Sequence, residues 1–149
     1  MISNKINRRD FIKRSTGVIG AASMVSAASH IGCVPSTAPA VRAELSENKI
    51  AFNTAISELS KIGDGVKLEN DALEYPILLI KKSDSAFVAV STECMHLGCQ
   101  VRMQRTVLRC PCHGSAYNLD GDVLNGPTEH PLRRYNIRMK DNIAEILVL

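Results

Sequence analysis

Two short runs, Cys94-Met95-His96-Leu97-Gly98-Cys99 and Cys110-Pro111-Cys112-His113-Gly114-Ser115-Ala116-Tyr117, hold four of the chain's five cysteines and two of its four histidines. No other feature constrains the fold as strongly. Whatever surrounds these runs must bring their thiols and imidazoles to one place. The spacing is Cys94-x-His96, thirteen residues, then Cys110-x-x-His113, with Cys99 and Cys112 left over, one in each run. On the residues alone three chemistries compete: a structural zinc site of two thiolates and two imidazoles, catalytic thiol chemistry, and a plain disulfide staple. Zinc sites do not usually need an extra cysteine in each ligand loop. Catalytic thiols rarely come four together. A pure disulfide pairing of Cys94 with Cys110 and Cys99 with Cys112 would leave both histidines without a role.

The frame around these runs reads as β. From Lys49 onward the chain breaks into short apolar runs separated by turn residues. Ile77-Leu78-Leu79-Ile80 ends in Lys81-Lys82, Ser83-Asp84-Ser85 turns, and Ala86-Phe87-Val88-Ala89-Val90 follows, which predicts a hairpin. Tyr135 to Met139 alternates, Lys140-Asp141-Asn142 turns, and Ile143 to Val148 completes a second hairpin. Gly63-Asp64-Gly65 marks another turn between short strands. With no Trp, three Phe and three Tyr, the core must be built from Val, Ile, Leu and Ala. The expected fold is mostly β, a small antiparallel β sandwich over residues 49–149 with the Cys/His loops inserted between its hairpins.

Charge separates this domain from what precedes it. Residues 1–48 hold six Lys/Arg against three acids, and residues 49–149 hold twelve of each sign. The basic excess therefore belongs to the N-terminal region, and the domain has no electrostatic footprint for nucleic acid. Residues 1–33 have the pattern of an export leader, in which Asn7-Arg8-Arg9-Asp10-Phe11-Ile12-Lys13 precedes an uncharged stretch from Ser15 to Ile31. The segment resembles the twin-arginine signal S/T-R-R-x-F-L-K, with Asn7 and Ile12 as departures. Its apolar helix is at the lower limit for spanning a bilayer. An anchored state is expected, either uncleaved or lipidated at Cys33 in His30-Ile31-Gly32-Cys33, against release near Ala38-Pro39-Ala40. Residues 34–48, rich in Pro, Ala, Ser and Glu, read as a flexible linker.

The two runs resemble the ligand boxes CxHxGC and CPCHGSxY of the Rieske iron–sulfur proteins, and the resemblance covers about residues 49–149, with the cluster-binding subdomain at about 93–130. It implies one 2Fe–2S cluster, with Cys94 and Cys110 on one iron and His96 and His113 on the other. It also implies a disulfide between Cys99 and Cys112. Two neutral imidazoles in place of two thiolates remove negative charge from one iron, which raises the potential to about −150 to +300 mV from about −400 mV. Gly98 and Gly114 would allow tight turns beside the sulfides. Ser115 and Tyr117 would donate hydroxyl hydrogen bonds to a sulfide and a ligating cysteine. Gly126-Pro127-Thr128 resembles the loop that covers the cluster from a third side, with Thr128 in place of the usual small residue.

Such a cluster carries one electron, and the chain has no GxGxxG or CxxCH sequence for a second cofactor. The resemblance therefore implies one station in a relay. Together with the leader and linker it is similar to the Rieske subunit of cytochrome bc-type quinol oxidoreductases. His96 and His113 would face quinol with Leu97 packed beside them, and electrons would pass from quinol toward a c-type cytochrome, with cytochrome b as a neighbour. The place would be the periplasmic, outer face of a bacterial cytoplasmic membrane. The alternative is the small electron-transfer subunit of a periplasmic molybdenum oxidase of the arsenite oxidase type.

Overall fold

The computed structural model describes residues 36–148. The expected leader and apolar helix within 1–33 lie outside these residues. Among the described residues no helix is long and apolar enough to cross a membrane. The observed fold is mostly β, as expected. Eight strands form one sheet: β1 (Ala40–Arg42), β2 (Leu45–Ser46), β3 (Lys49–Asn53), β4 (Gly65–Glu69), β5 (Ile77–Lys81), β6 (Phe87–Ser91), β11 (Arg134–Lys140) and β12 (Ile143–Leu147). Their order is β1-β4-β5-β6-β11-β12-β3-β2. A second sheet joins β7 (Arg102–Gln104), β8 (Val107–Arg109), β9 (Ala116–Tyr117) and β10 (Val123–Asn125) in the order β10-β9-β8-β7. This smaller sheet, inserted between β6 and β11, carries the second Cys/His run. Every pairing is antiparallel except β1 with β4.

Both predicted hairpins form. Ile77 pairs with Ser91 and Lys81 with Phe87 in the first, Asn136 with Leu147 and Lys140 with Ile143 in the second. Strand β5 explains its own unbroken apolar run. Side chains alternate across a strand, so Ile77 and Leu79 enter one core with Ile50, Val66, Leu68 and Ile146, while Leu78 and Ile80 enter another with Met103, Leu108 and Tyr117. The second core also holds Cys94 and Cys110. One strand is thus the shared wall between the scaffold and the ligand-bearing subdomain, which ties the position of the loops to the best-packed part of the molecule.

Two expectations need correction. Residues 36–48 are not a flexible spacer: Ala40–Arg42 pairs in parallel with Lys67–Glu69, Leu45–Ser46 pairs with β3, and Ala38 and Ala43 are buried. The backbone bonds come from distant segments, with Lys67 N–H donating to Pro39 O at 2.8 Å and Thr37 N–H to Met103 O at 2.8 Å. Pairing of that kind leaves no local period in the sequence. The turn at Gly63-Asp64-Gly65 leads into β4 as expected, but a 3-10 turn at Ser57–Leu59 precedes it rather than a strand.

Candidate metal centre

The two Cys/His runs are one turn built twice. Cys94 N–H donates to Cys99 O at 2.9 Å, and Gly98 N–H donates back to Cys94 O at 2.9 Å. In the second run Cys110 N–H donates to Ser115 O at 2.8 Å, and Gly114 N–H to Cys110 O at 3.1 Å. Closing each turn needs a left-handed residue, supplied by Gly98 at φ +74° and Gly114 at φ +80°. Thr92 anchors the first loop, its N–H and hydroxyl both donating to Pro76 O at 3.0 Å. The second loop is held between β8 and β9, where Arg109 pairs with Ala116.

These turns sort the donor atoms into two layers. Below are the Cys94 and Cys110 thiols, 1% and 2% exposed. Above are the imidazoles, with His96 half-buried and His113 exposed, Nδ1 to Nδ1 at 3.3 Å. The rings stand edge to face, 81° apart. Neither Nε2 has a protein partner among the described residues. A disulfide between Cys99 and Cys112 joins the loops. The sulfurs of Cys99, Cys110 and Cys112 lie within 4.8 Å of one another, but two of the three belong to the disulfide and offer no thiolate.

The thiols are set in a polar cradle. Burial opposes ionisation of Cys94, yet the Tyr117 hydroxyl, the His96 backbone N–H and the Cys110 and Ser115 side chains together hold its pKa below the usual value. At Cys110 burial wins and the pKa is raised, although the Cys112 and His113 backbone amides favour the thiolate. Tyr117 is fully buried, its hydroxyl 3.5 Å from Cys94 Sγ and accepting from Met95 N–H at 3.3 Å. Burial and the neighbouring Cys94 push its pKa up to about 12, so the hydroxyl keeps its proton. Ser115 is also fully buried, and Thr128 N–H approaches its oxygen at 3.4 Å from the Gly126-Pro127-Thr128 loop. Thr128 is buried and exchanges hydrogen bonds with the His130 backbone. Leu97 is 69% exposed beside the imidazoles.

The structure brings the side chains of Cys94, Cys110, Ser115 and Tyr117 together and pairs the imidazole of His96 with that of His113, while Pro127 is exposed beside Thr128, whose N–H reaches Ser115. Sequence reasoning missed the backbone amides of His96, Cys112 and His113, because every residue carries an amide and only the turn aims it. It also missed Thr92, and Tyr75, whose hydroxyl oxygen lies 2.9 Å from where a Cβ on Gly98 would be. Two thiols, two facing imidazole nitrogens and surplus N–H donors fit a [2Fe–2S] group whose irons differ in ligands.

Comparison with known proteins agrees with this chemistry. A family model of the Rieske [2Fe-2S] domain matches residues 52–136. The cytochrome b6-f complex iron-sulfur subunit of Chlorobaculum tepidum is 29% identical over 139 residues, covering 90% of this chain and 71% of that protein. Its counterpart in Chlorobaculum thiosulfatiphilum is 30% identical over 135 residues, covering 89% and 71%. Among solved structures, the apo form of a quaternary ammonium Rieske monooxygenase aligns with TM-score 0.51 at 20% identity, over 62% of this chain and 30% of that one, a likeness of fold alone.

Proposed function

Because the chain belongs to the Rieske [2Fe–2S] domain family and transfers single electrons through such a cluster, we propose that Cys94 and Cys110 hold one iron and His96 and His113 the other. The observation that carries this reading is the sorting of the donors within the same two loops, a buried thiol pair and a facing imidazole pair of which His96 is half-buried and His113 exposed. When bound, the cluster supplies a one-electron acceptor of raised potential. The chain's own residues do the rest. Buried Cys94 and Cys110 keep water from the sulfur side. The half-buried His96 and exposed His113 imidazoles offer ring nitrogens to which a hydroxyl of quinol can hydrogen-bond and leave its proton. Met95 and Leu97 give the pair an apolar rim.

The domain takes an electron and a proton from quinol and passes the electron to a c-type cytochrome, beside cytochrome b in the same complex. Two relatives named as cytochrome b6-f subunits support this assignment. They do not favour the molybdenum oxidase alternative. Residues 1–33 act as a twin-arginine leader and membrane anchor that places the domain on the periplasmic face. The test is purification of the tagged full chain from its native membranes. Cytochrome b and c haem spectra and quinol–cytochrome c reductase activity should accompany it, and His113→Ala should abolish the activity. Recovery with a molybdopterin subunit and no haem would overturn the quinol reading in favour of the alternative.

A further inference from the structure

We propose that Thr128 is a positioning residue for electron transfer, holding the Ser115 hydroxyl with its proton turned toward the Cys94 sulfur and so raising the potential of the group bound there. The inference rests on the reading of Cys94 as an iron ligand. Ser115 is 0% exposed, so its hydroxyl has no water to bond and depends on the groups packed around it. A hydroxyl has one proton to give and lone pairs with which to accept. Thr128 N–H donates to Ser115 Oγ at 3.4 Å, which occupies the accepting side. The proton is left for the other neighbour, the Cys94 sulfur. A donor aimed at that sulfur stabilises the reduced, more negative cluster over the oxidised one.

The threonine side chain is what keeps its own amide on target. Between Val123 and Leu132, Thr128 is the one buried residue, so it is the point at which this loop enters the molecule. Its Oγ1 accepts from His130 N–H and reaches His130 O, both at 3.3 Å. These bonds latch the turn that follows Gly126-Pro127 and fix the direction of the Thr128 N–H. The bond to Ser115 is at the long end of the usual range, so a small shift of the loop breaks it. Packing alone does not call for a hydroxyl here, since burying one costs free energy unless it is bonded. The loop that Gly126-Pro127-Thr128 resembles carries a small residue in this place, which makes the latch a feature of this chain. The Thr128 hydroxyl also hydrogen-bonds Tyr117. That contact gives the same side chain a second route to Cys94, and the two routes separate in the test.

The experiment is an EPR-monitored redox titration of the full-length holoprotein carrying Thr128→Ala or Thr128→Ser, each alone and combined with Ser115→Ala or with Tyr117→Phe. Thr128→Ala should keep the rhombic signal and lower the midpoint potential by part of the fall that Ser115→Ala causes. Thr128→Ser restores the hydroxyl and should return the potential to the wild-type value. In the Ser115→Ala background Thr128→Ala should add nothing, whereas in Tyr117→Phe it should keep its effect. Urea unfolding of the same variants is followed alongside, because a purely structural role would lower stability and leave the potential alone. An unchanged potential in Thr128→Ala would overturn the proposal. A fall that persists in Ser115→Ala would overturn it too, and one that then disappears with Tyr117→Phe would give the role to the Tyr117 hydroxyl. If Thr128→Ala releases the cluster, Thr128→Val reads the same loss of hydroxyl with the volume kept, and release by both would overturn the proposal in favour of a structural role. A wild-type protein without a [2Fe–2S] signal would overturn the ligand reading itself, a failure visible before any variant is made.

Discussion

The loop at Cys94–Cys99 and the loop at Cys110–Ser115 close with the same pair of backbone hydrogen bonds, yet they are supported differently. The first is crowded, with Tyr117 beneath Met95 and Cys94 and the Tyr75 hydroxyl against Gly98. The second is open at its glycine, with nothing within 4 Å of a Cβ placed on Gly114, and it is braced instead from Ser115 through Thr128. The repeated backbone decides where the thiols point. The unequal surroundings decide how firmly each loop is held and how each thiol ionises. That division explains why burial is overcome at Cys94 and wins at Cys110.

The strongest way to break the comparison is to cut the bond the loops share. Cys99 and Cys112 are 13 apart in sequence, and a link closing so short a loop is worth about 3 kcal/mol in the loop-entropy estimate. Cys112→Ser should lower the unfolding free energy by that order, read from denaturant titration, and release the cluster on mild heating, followed by the loss of visible absorbance. A smaller and asymmetric effect is expected at the glycines. Alanine at either position must adopt a left-handed conformation costing about 1–2 kcal/mol. Only Gly98→Ala also drives a Cβ to 2.9 Å from Tyr75 Oη. Gly98→Ala should therefore be the more destabilising in urea unfolding, and adding Tyr75→Phe should recover part of the loss there and none in Gly114→Ala.

Next come the hydroxyls. Tyr117→Phe and Ser115→Ala each remove a donor from beside Cys94, and both should keep the cluster while lowering its midpoint potential by on the order of 50 mV. With the Tyr117 pKa pushed up to about 12, the offset caused by Tyr117→Phe should be constant from about pH 6 to about pH 9, well below that titration. The smallest effect is reserved for a control outside both loops. Arg42 and Asp71 form an ion pair with side chains 74% and 85% exposed, so Arg42→Ala should change stability by less than about 1 kcal/mol.

How much of this was legible in the sequence follows from where each interaction is encoded. The hairpins β5–β6 and β11–β12 are local, written in alternation and turn residues, and both form. The site was legible because Cys and His are scarce and the spacing in both runs is distinctive. The pairing of Ala40–Arg42 with Lys67–Glu69 was not, since it depends on a partner more than twenty residues away and on carbonyls any sequence could offer. The same holds for Lys82 with Asp120 and Arg134 with Asp122, which brace the second sheet against the first. The amide donors around the thiols belong to the same class, because they become visible only when Gly98 and Gly114 are seen to turn the chain.

The central claim is that two thiols and two imidazoles share one cluster, and its most direct test is an EPR-monitored redox titration of the full-length holoprotein. The account predicts a rhombic [2Fe–2S] signal with coupling to two ligand nitrogens and a midpoint between about −150 and +300 mV. A signal without nitrogen coupling near about −400 mV, or an EPR-silent protein that holds zinc after anaerobic reconstitution with iron and sulfide, would contradict it.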